Sequence, residues 1–118
     1  MGLEHFHWEV EGVWVLHLQG NITLGEGTTR LRDLIQQTLD GGKRKIVLNM
    51  AEVHYMDSSG LGELVAAHLA VQKYGAQLKL MKLTPRVKDV VQLTKVHRIF
   101  EVFPDEASAI RSFAAGAG

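Results

Sequence analysis

The sequence contains no cysteine. Disulfides, thiolate metal sites and cysteine nucleophiles are therefore all excluded. Charge of one sign is also missing: 13 Lys+Arg face 13 Asp+Glu, a formal net charge of zero. A nucleic-acid-binding domain would normally be clearly basic. Long apolar runs are absent too, since no window approaches the roughly 18 apolar residues of a membrane helix. Met1–Val10 has neither a basic start nor an apolar run, so it does not read as a secretory signal. The expectation is a cytoplasmic chain. No internal repeat, linker or low-complexity segment divides the 118 residues, and residues 1–118 are expected to form one domain. Such a chain is too short for a barrel of eight strand–helix units or for separate cofactor and substrate domains.

What is present is ordinary globular composition, 46% hydrophobic and 22% charged. Phe6, Trp8 and Val10, then Trp14, Leu16 and Leu18, alternate with the period of half-buried strands. Glu11-Gly12 between them marks a hairpin. A three-residue loop, Glu11-Gly12-Val13, would place both apolar sets on one face and is the expected register; a two-residue loop would place them on opposite faces. Leu31, Leu34, Ile35, Thr38 and Leu39 form a helical stripe stopped by Gly41-Gly42. Lys45–Asn49 reads as a strand buried on both faces. The next helix carries a stripe of Leu61, Leu64, Val65, His68 and Leu69. A strand over 77–83 follows, then a helix opened by Thr84-Pro85 with Val87, Val90, Val91 and Thr94 inward. Ile99–Phe103 reads as a short edge strand, and a last helix from Pro104-Asp105 turns Ala107, Ile110 and Ala114 inward. This order predicts an α/β fold: a central mixed, mostly parallel sheet of about five strands with about four helices. The core is expected over about 6–113, with 114–118 frayed.

The segment with most chemistry is Ile46–Gly62, where a buried strand hands over to a helix through Asp57, Ser58, Ser59, Gly60 and Gly62. Helix N-termini offer unpaired N–H groups and a positive dipole end, so a phosphate is welcome there. Two glycines would let another protein approach closely. On spacing alone the plainer reading leads: Asp57 or Ser58 is an N-cap, and the glycines serve packing.

Asp57-Ser58-Ser59-Gly60-Leu61-Gly62, preceded by Ile46-Val47-Leu48-Asn49, resembles the signature of the STAS domain family, and within it the bacterial anti-sigma factor antagonists. The resemblance extends to Gly20-Asn21-Ile22, Gly75-Ala76-Gln77-Leu78 and Ile99-Phe100-Glu101-Val102-Phe103-Pro104, covering about Phe6 to Phe113. It implies a non-enzymatic partner switch without cofactor or metal. Unphosphorylated, such a protein binds an anti-sigma factor that is usually also a serine kinase, and so frees a sigma factor for transcription. Phosphorylation dissociates the complex and a serine phosphatase restores it. The resemblance places the phosphate on Ser59. It assigns Asp57 and Ser58 to the cap and kinase recognition, Gly60 and Leu61 to the contact surface, and Asn21 and Thr23 to the neighbouring loop. No nucleic-acid or membrane-spanning role follows, and a homodimer stays open. The alternative within the family is a non-switching interaction module, in a stress-sensing assembly or as a subunit of a transporter or lipid-transport complex. Two positions depart from the family pattern. Gly20-Asn21-Ile22-Thr23 lacks the acidic residue common there, and Leu93-Thr94-Lys95-Val96 lacks the glycine often found after Thr.

Other chemistries fit less well. Six histidines invite a metal reading, but zinc needs three or four converging ligands and no spacing fixes them. His5 and His7 read as surface residues, His68 as a packed helix residue and His54 as a loop residue. A serine hydrolase would use Ser58 or Ser59 with His54, yet the Gly-x-Ser-x-Gly elbow is missing. Gly60-x-Gly62 lacks the Lys-Ser/Thr end of a P-loop. Ala66, Ala67, Ala70 and Val71 make the second helix apolar on most sides, for a neighbouring helix or for a partner. Net neutrality hides an asymmetry: residues 1–72 carry −4, residues 73–98 carry +6 and residues 99–118 carry −2. Such asymmetry is of the kind that orients docking.

Overall fold

A computed structural model describes residues 2–95 and 98–116. The chain runs β1 (Leu3–Val10), β2 (Val13–Ile22), α1 (Glu26–Asp40), β3 (Lys45–Met56), α2 (Ser58–Lys73), β4 (Gln77–Met81), α3 (Pro85–Leu93), β5 (Val102–Phe103) and α4 (Glu106–Gly116). One sheet of order β1-β2-β3-β4-β5 holds all the strands. The β1–β2 pair is antiparallel and the rest are parallel, giving the expected mixed α/β architecture.

The hairpin register differs from expectation. Phe6 faces His17 and Val10 faces Val13, so the loop is the two residues Glu11-Gly12. Both adopt positive φ, 51° and 79°, as a type I′ turn requires. That turn matches the twist of the strands, and its geometry outweighs the hydrophobic alignment that favoured three residues. Phe6 and Trp8 consequently lie opposite His17 and Val15, on the other face from Trp14, Leu16 and Leu18. They stay 55% and 37% exposed.

Helices α1, α2 and α3 cover one face over a core built on Leu16, Leu18, Ile46, Leu48 and Leu64. All five α1 stripe residues are buried there. In α2 the stripe is shifted: Leu61, Leu64, Ala67 and Val71 are buried, whereas Leu69 is 53% exposed. The near-uniform apolarity of α2 gives periodicity little to work with, and the small Ala67 is buried where α2 adjoins α1. On α3 Val87 and Val91 are buried, while Thr94 is exposed and bonds back to the Val90 and Val91 carbonyls. Lys95 stands just beyond the Thr94 C-cap with φ 60°, the left-handed position that glycine usually fills. The absent glycine therefore alters a helix ending.

Among the described residues helix α4 alone covers the other face, over Val13, Val15, Val47 and Met81. Its inward residues are Ala109, Ile110 and Phe113; Ala107 and Ala114, expected inside, are exposed. Asp105 sets that phase by accepting the Ser108 N–H at 2.7 Å. Lys79 of β4 is buried beneath α4, with Nζ donating to Ser112 Oγ at 2.8 Å and lying 3.4 Å from Glu101. One cation of the basic segment is thus an internal clamp. Strand β4 ends at Met81, short of Leu83, because Lys82 turns to φ 58°. Residues 114–116, expected to be frayed, continue the last helix to Gly116, and residues 117–118 lie outside the described residues.

Candidate functional site

The carboxyl ends of β2 and β3 lie side by side, with Asn21 beside Tyr55 and Ile22 beside Met56. Each strand feeds a helix: β2 leads through Thr23–Gly25 into α1, and β3 through Asp57 into α2. Two helix N-termini therefore meet at the end of the sheet where α/β folds commonly bind ligands. Strand β3 reaches this point because it continues past Asn49, the last residue paired to β4, by pairing with β2 alone through two register shifts. His54 is thereby an exposed strand residue rather than a loop residue.

Asp57 organises the junction. With extended backbone it is the N-cap of α2, and its Oδ1 accepts the Gly60 N–H at 2.8 Å. Its Oδ2 accepts the Leu24 N–H, at 3.1 Å, from the loop before α1. The two donated bonds, Gly60 first and Leu24 second, hold the carboxyl below the usual carboxylate range. Asp57 is thus an ionised brace between the two loops. Ser58 and Ser59 occupy the first turn of α2, Ser58 exposed and Ser59 half-buried. Their backbone N–H groups have no intrahelical acceptor, as at any helix start. No acidic residue occupies that first turn.

The glycines divide their roles. A Cβ at Gly60 would lie 2.8 Å from the Ile22 carbonyl carbon and nearer still to its oxygen. Gly60 therefore lets α2 touch the end of β2. A Cβ at Gly62 would meet nothing within 4 Å, so that side of α2 is open. Gly60 and Leu61, expected on the contact surface, are both buried, Leu61 at 5% exposure. They seat the helix on the sheet. Asn21 and Thr23 are half-buried beside the brace, and the Thr23 carbonyl accepts the Thr28 N–H at 3.1 Å. The uncharged loop brings no carboxylate of its own; Asp57 supplies one to the Leu24 N–H instead. Sequence reasoning missed Leu24, since the bond spans 33 positions and carries no local signal.

Neither serine hydroxyl is bonded to a histidine among the described residues, so no nucleophile–base pair is assembled. Nor, among the described residues, do three or more metal-binding side chains converge. His68 is half-buried, edge-on to Phe100 at 5.3 Å. His5 and His7 stack on one another at 6.0 Å, and His97 lies outside the described residues. Beside the site Arg32 clamps Glu63 at 2.7 Å, bridging α1 to α2. No helix among the described residues is long and apolar enough to cross a membrane.

Comparison with known proteins places this geometry. BtrV of Bordetella bronchiseptica, assigned as an anti-sigma factor antagonist, is 25% identical over 89% of this chain and 90% of its own length. The structure of an anti-sigma factor antagonist from Mycobacterium paratuberculosis superposes with a TM-score of 0.82, at 19% identity, over 94% of this chain and 93% of that one. The anti-sigma factor antagonist SpoIIAA in its unphosphorylated form gives 0.77 at 20% identity, over 95% and 97%. The sequence matches the STAS domain model over residues 9–109, and the chain belongs to the STAS domain family.

Proposed function

We propose that this protein is an anti-sigma factor antagonist switched by phosphorylation of Ser59. The observation that carries the reading is Ser59, a half-buried residue in the first turn of α2, with an ionised Asp57 two residues before it. A phosphate there gains the helix dipole, worth only about 0.3–1 kcal/mol at an exposed terminus. The domain therefore stays folded when modified. Phosphorylation adds about −1.5 to −2 charges at pH 7. Against a docked partner that charge is repelled by Asp57 and must be desolvated, so the complex dissociates. The partner is an anti-sigma factor with serine-kinase activity, and a serine phosphatase resets the switch in the cytoplasm. Relatives named as antagonists and a fold shared with SpoIIAA support this reading. Ser58, Asn21 and Thr23 flank the contact, and Gly62 supplies its closest approach.

The test is a binding titration against the cognate anti-sigma factor with native protein, Ser59→Ala and Ser59→Asp. The alanine variant is expected to bind and to take up no phosphate from the kinase. The aspartate variant should lose at least about tenfold in affinity, 1.4 kcal/mol, while keeping its native circular dichroism. Undiminished affinity of Ser59→Asp, or phosphate transferred to another residue, would overturn the reading.

A further inference from the structure

The two edges of the sheet are unlike. Strand β5 is two residues long and is followed at once by Pro104, which blunts it. Strand β1 is eight residues long, Leu-Glu-His-Phe-His-Trp-Glu-Val, with no lysine, arginine or proline. Among the described residues it pairs with β2 alone and forms the opposite edge. Because Val10 and Val13 close a two-residue turn, they form a hydrogen-bonded pair, and the alternation continues along the strand. Val10, Trp8, Phe6 and Glu4 thus turn their backbone groups to β2. Glu9, His7, His5 and Leu3 turn theirs outward, with no strand beyond them among the described residues. Beside this free row Phe6 and Trp8 stand exposed, aligned along His17 at ring distances of 5.3 and 6.1 Å.

We propose that β1 pairs antiparallel with β1 of a second copy about a two-fold axis through His7, joining two five-stranded sheets. Sheet continuity requires opposed residues to share a face, which confines the register to even sums of residue numbers. The register centred on His7 sets Phe6 opposite Trp8 twice and His5 opposite Glu9 twice. Aromatic rings thereby meet aromatic rings on one face, and on the other His5 meets Glu9, whose carboxylate also accepts a hydrogen bond from Lys43 Nζ at 2.7 Å. Glu4 falls opposite Val10, so no two carboxylates oppose each other. The register centred on Phe6 would set Leu3 against Glu9 and Glu4 against Trp8, losing the His–Glu pairs and leaving one aromatic pair, Phe6 on Phe6, in place of two. A second copy is the occupant because the strand complements itself under the symmetry that closed dimers use.

The absence of native cysteine supplies a direct test. In a hydrogen-bonded antiparallel pair, opposed Cα atoms lie about 5.5 Å apart, within disulfide range. His7→Cys is expected to form a disulfide-linked dimer under mild oxidation, whereas Glu4→Cys, about 20 Å from its counterpart at 3.4 Å per residue, is not. Native protein should shift towards twice the monomer mass in sedimentation velocity as concentration rises. His7→Pro, which removes only an outward N–H, and Phe6→Lys should both stay monomeric with native circular dichroism. Should native protein remain monomeric up to about 1 mM, the proposal fails. It fails equally if a folded His7→Pro or Phe6→Lys dimerises like native protein, or if Glu4→Cys cross-links as readily as His7→Cys. None of these measurements involves a kinase or an anti-sigma factor, so they stand apart from the phosphorylation switch.

Discussion

Helices α1 and α2 begin side by side at the same end of the sheet, yet their first turns are built oppositely. The N-cap of α1 is Gly25 at φ 105°, with no side-chain cap, and Glu26 follows in the first turn. The N-cap of α2 is Asp57, which captures the Gly60 N–H, and its first turn holds two serines and no acid. In α1 the positive end of the dipole is already met by a fixed carboxylate. In α2 the Asp57 carboxylate is spent on two N–H groups, leaving two hydroxyls where a further negative charge would be accepted. Under the proposed reading, this contrast favours α2 over its neighbour as the place for a switchable charge.

The largest break in this contrast is Gly60→Ala. Its Cβ would press on the Ile22 backbone, which cannot give as a side chain tip would, and a loss of about 3 kcal/mol or more is expected in urea unfolding. Asp57→Ala comes next. Losing an N-cap costs typically about 1 kcal/mol, with up to 2 in range, and here the Leu24 N–H is orphaned as well. The folded carboxyl has the lowered pKa, so its contribution is present above the unfolded value and is lost as pH falls through the folded one. Acid unfolding of Asp57→Ala should therefore be flatter below about pH 4 than that of native protein. Gly62→Ala tests the open side of α2 with the opposite sign. The position is exposed and unobstructed, so alanine should stabilise by about 0.5–1 kcal/mol. An accompanying loss of anti-sigma affinity would mark Gly62 as the point of close approach. Glu26→Gln is the smallest change, removing a dipole interaction of about 0.3–1 kcal/mol that added salt should mask in native protein.

Part of this molecule is legible residue by residue. The α1 stripe from Leu31 to Leu39 was readable because apolar and polar residues there alternate sharply at helical period. In α2 the same reading misplaces Leu69, since runs such as Leu64–Ala67 and Leu69–Val71 are apolar whichever face is buried. In α4 the alanines at 107 and 114 are too small to declare a side, and the cap bond from Ser108 to Asp105 settles the phase. Asp57 as cap and the serines at a helix start are visible in sequence because capping is local. The brace from Asp57 to Leu24 and the burial of Gly60 are not, because both depend on where β2 ends relative to β3.

By itself the sequence determined the element order, the parallel character of the sheet and the Asp57–Gly62 signature. These rest on periodicity, turn chemistry and capping, which act over a few residues. Only the tertiary structure decided the hairpin register, the inward faces of α2 and α4, and the separate roles of Gly60 and Gly62. Each of those follows from the alignment of segments distant in the chain, where backbone approach and turn geometry outweigh the local hydrophobic pattern.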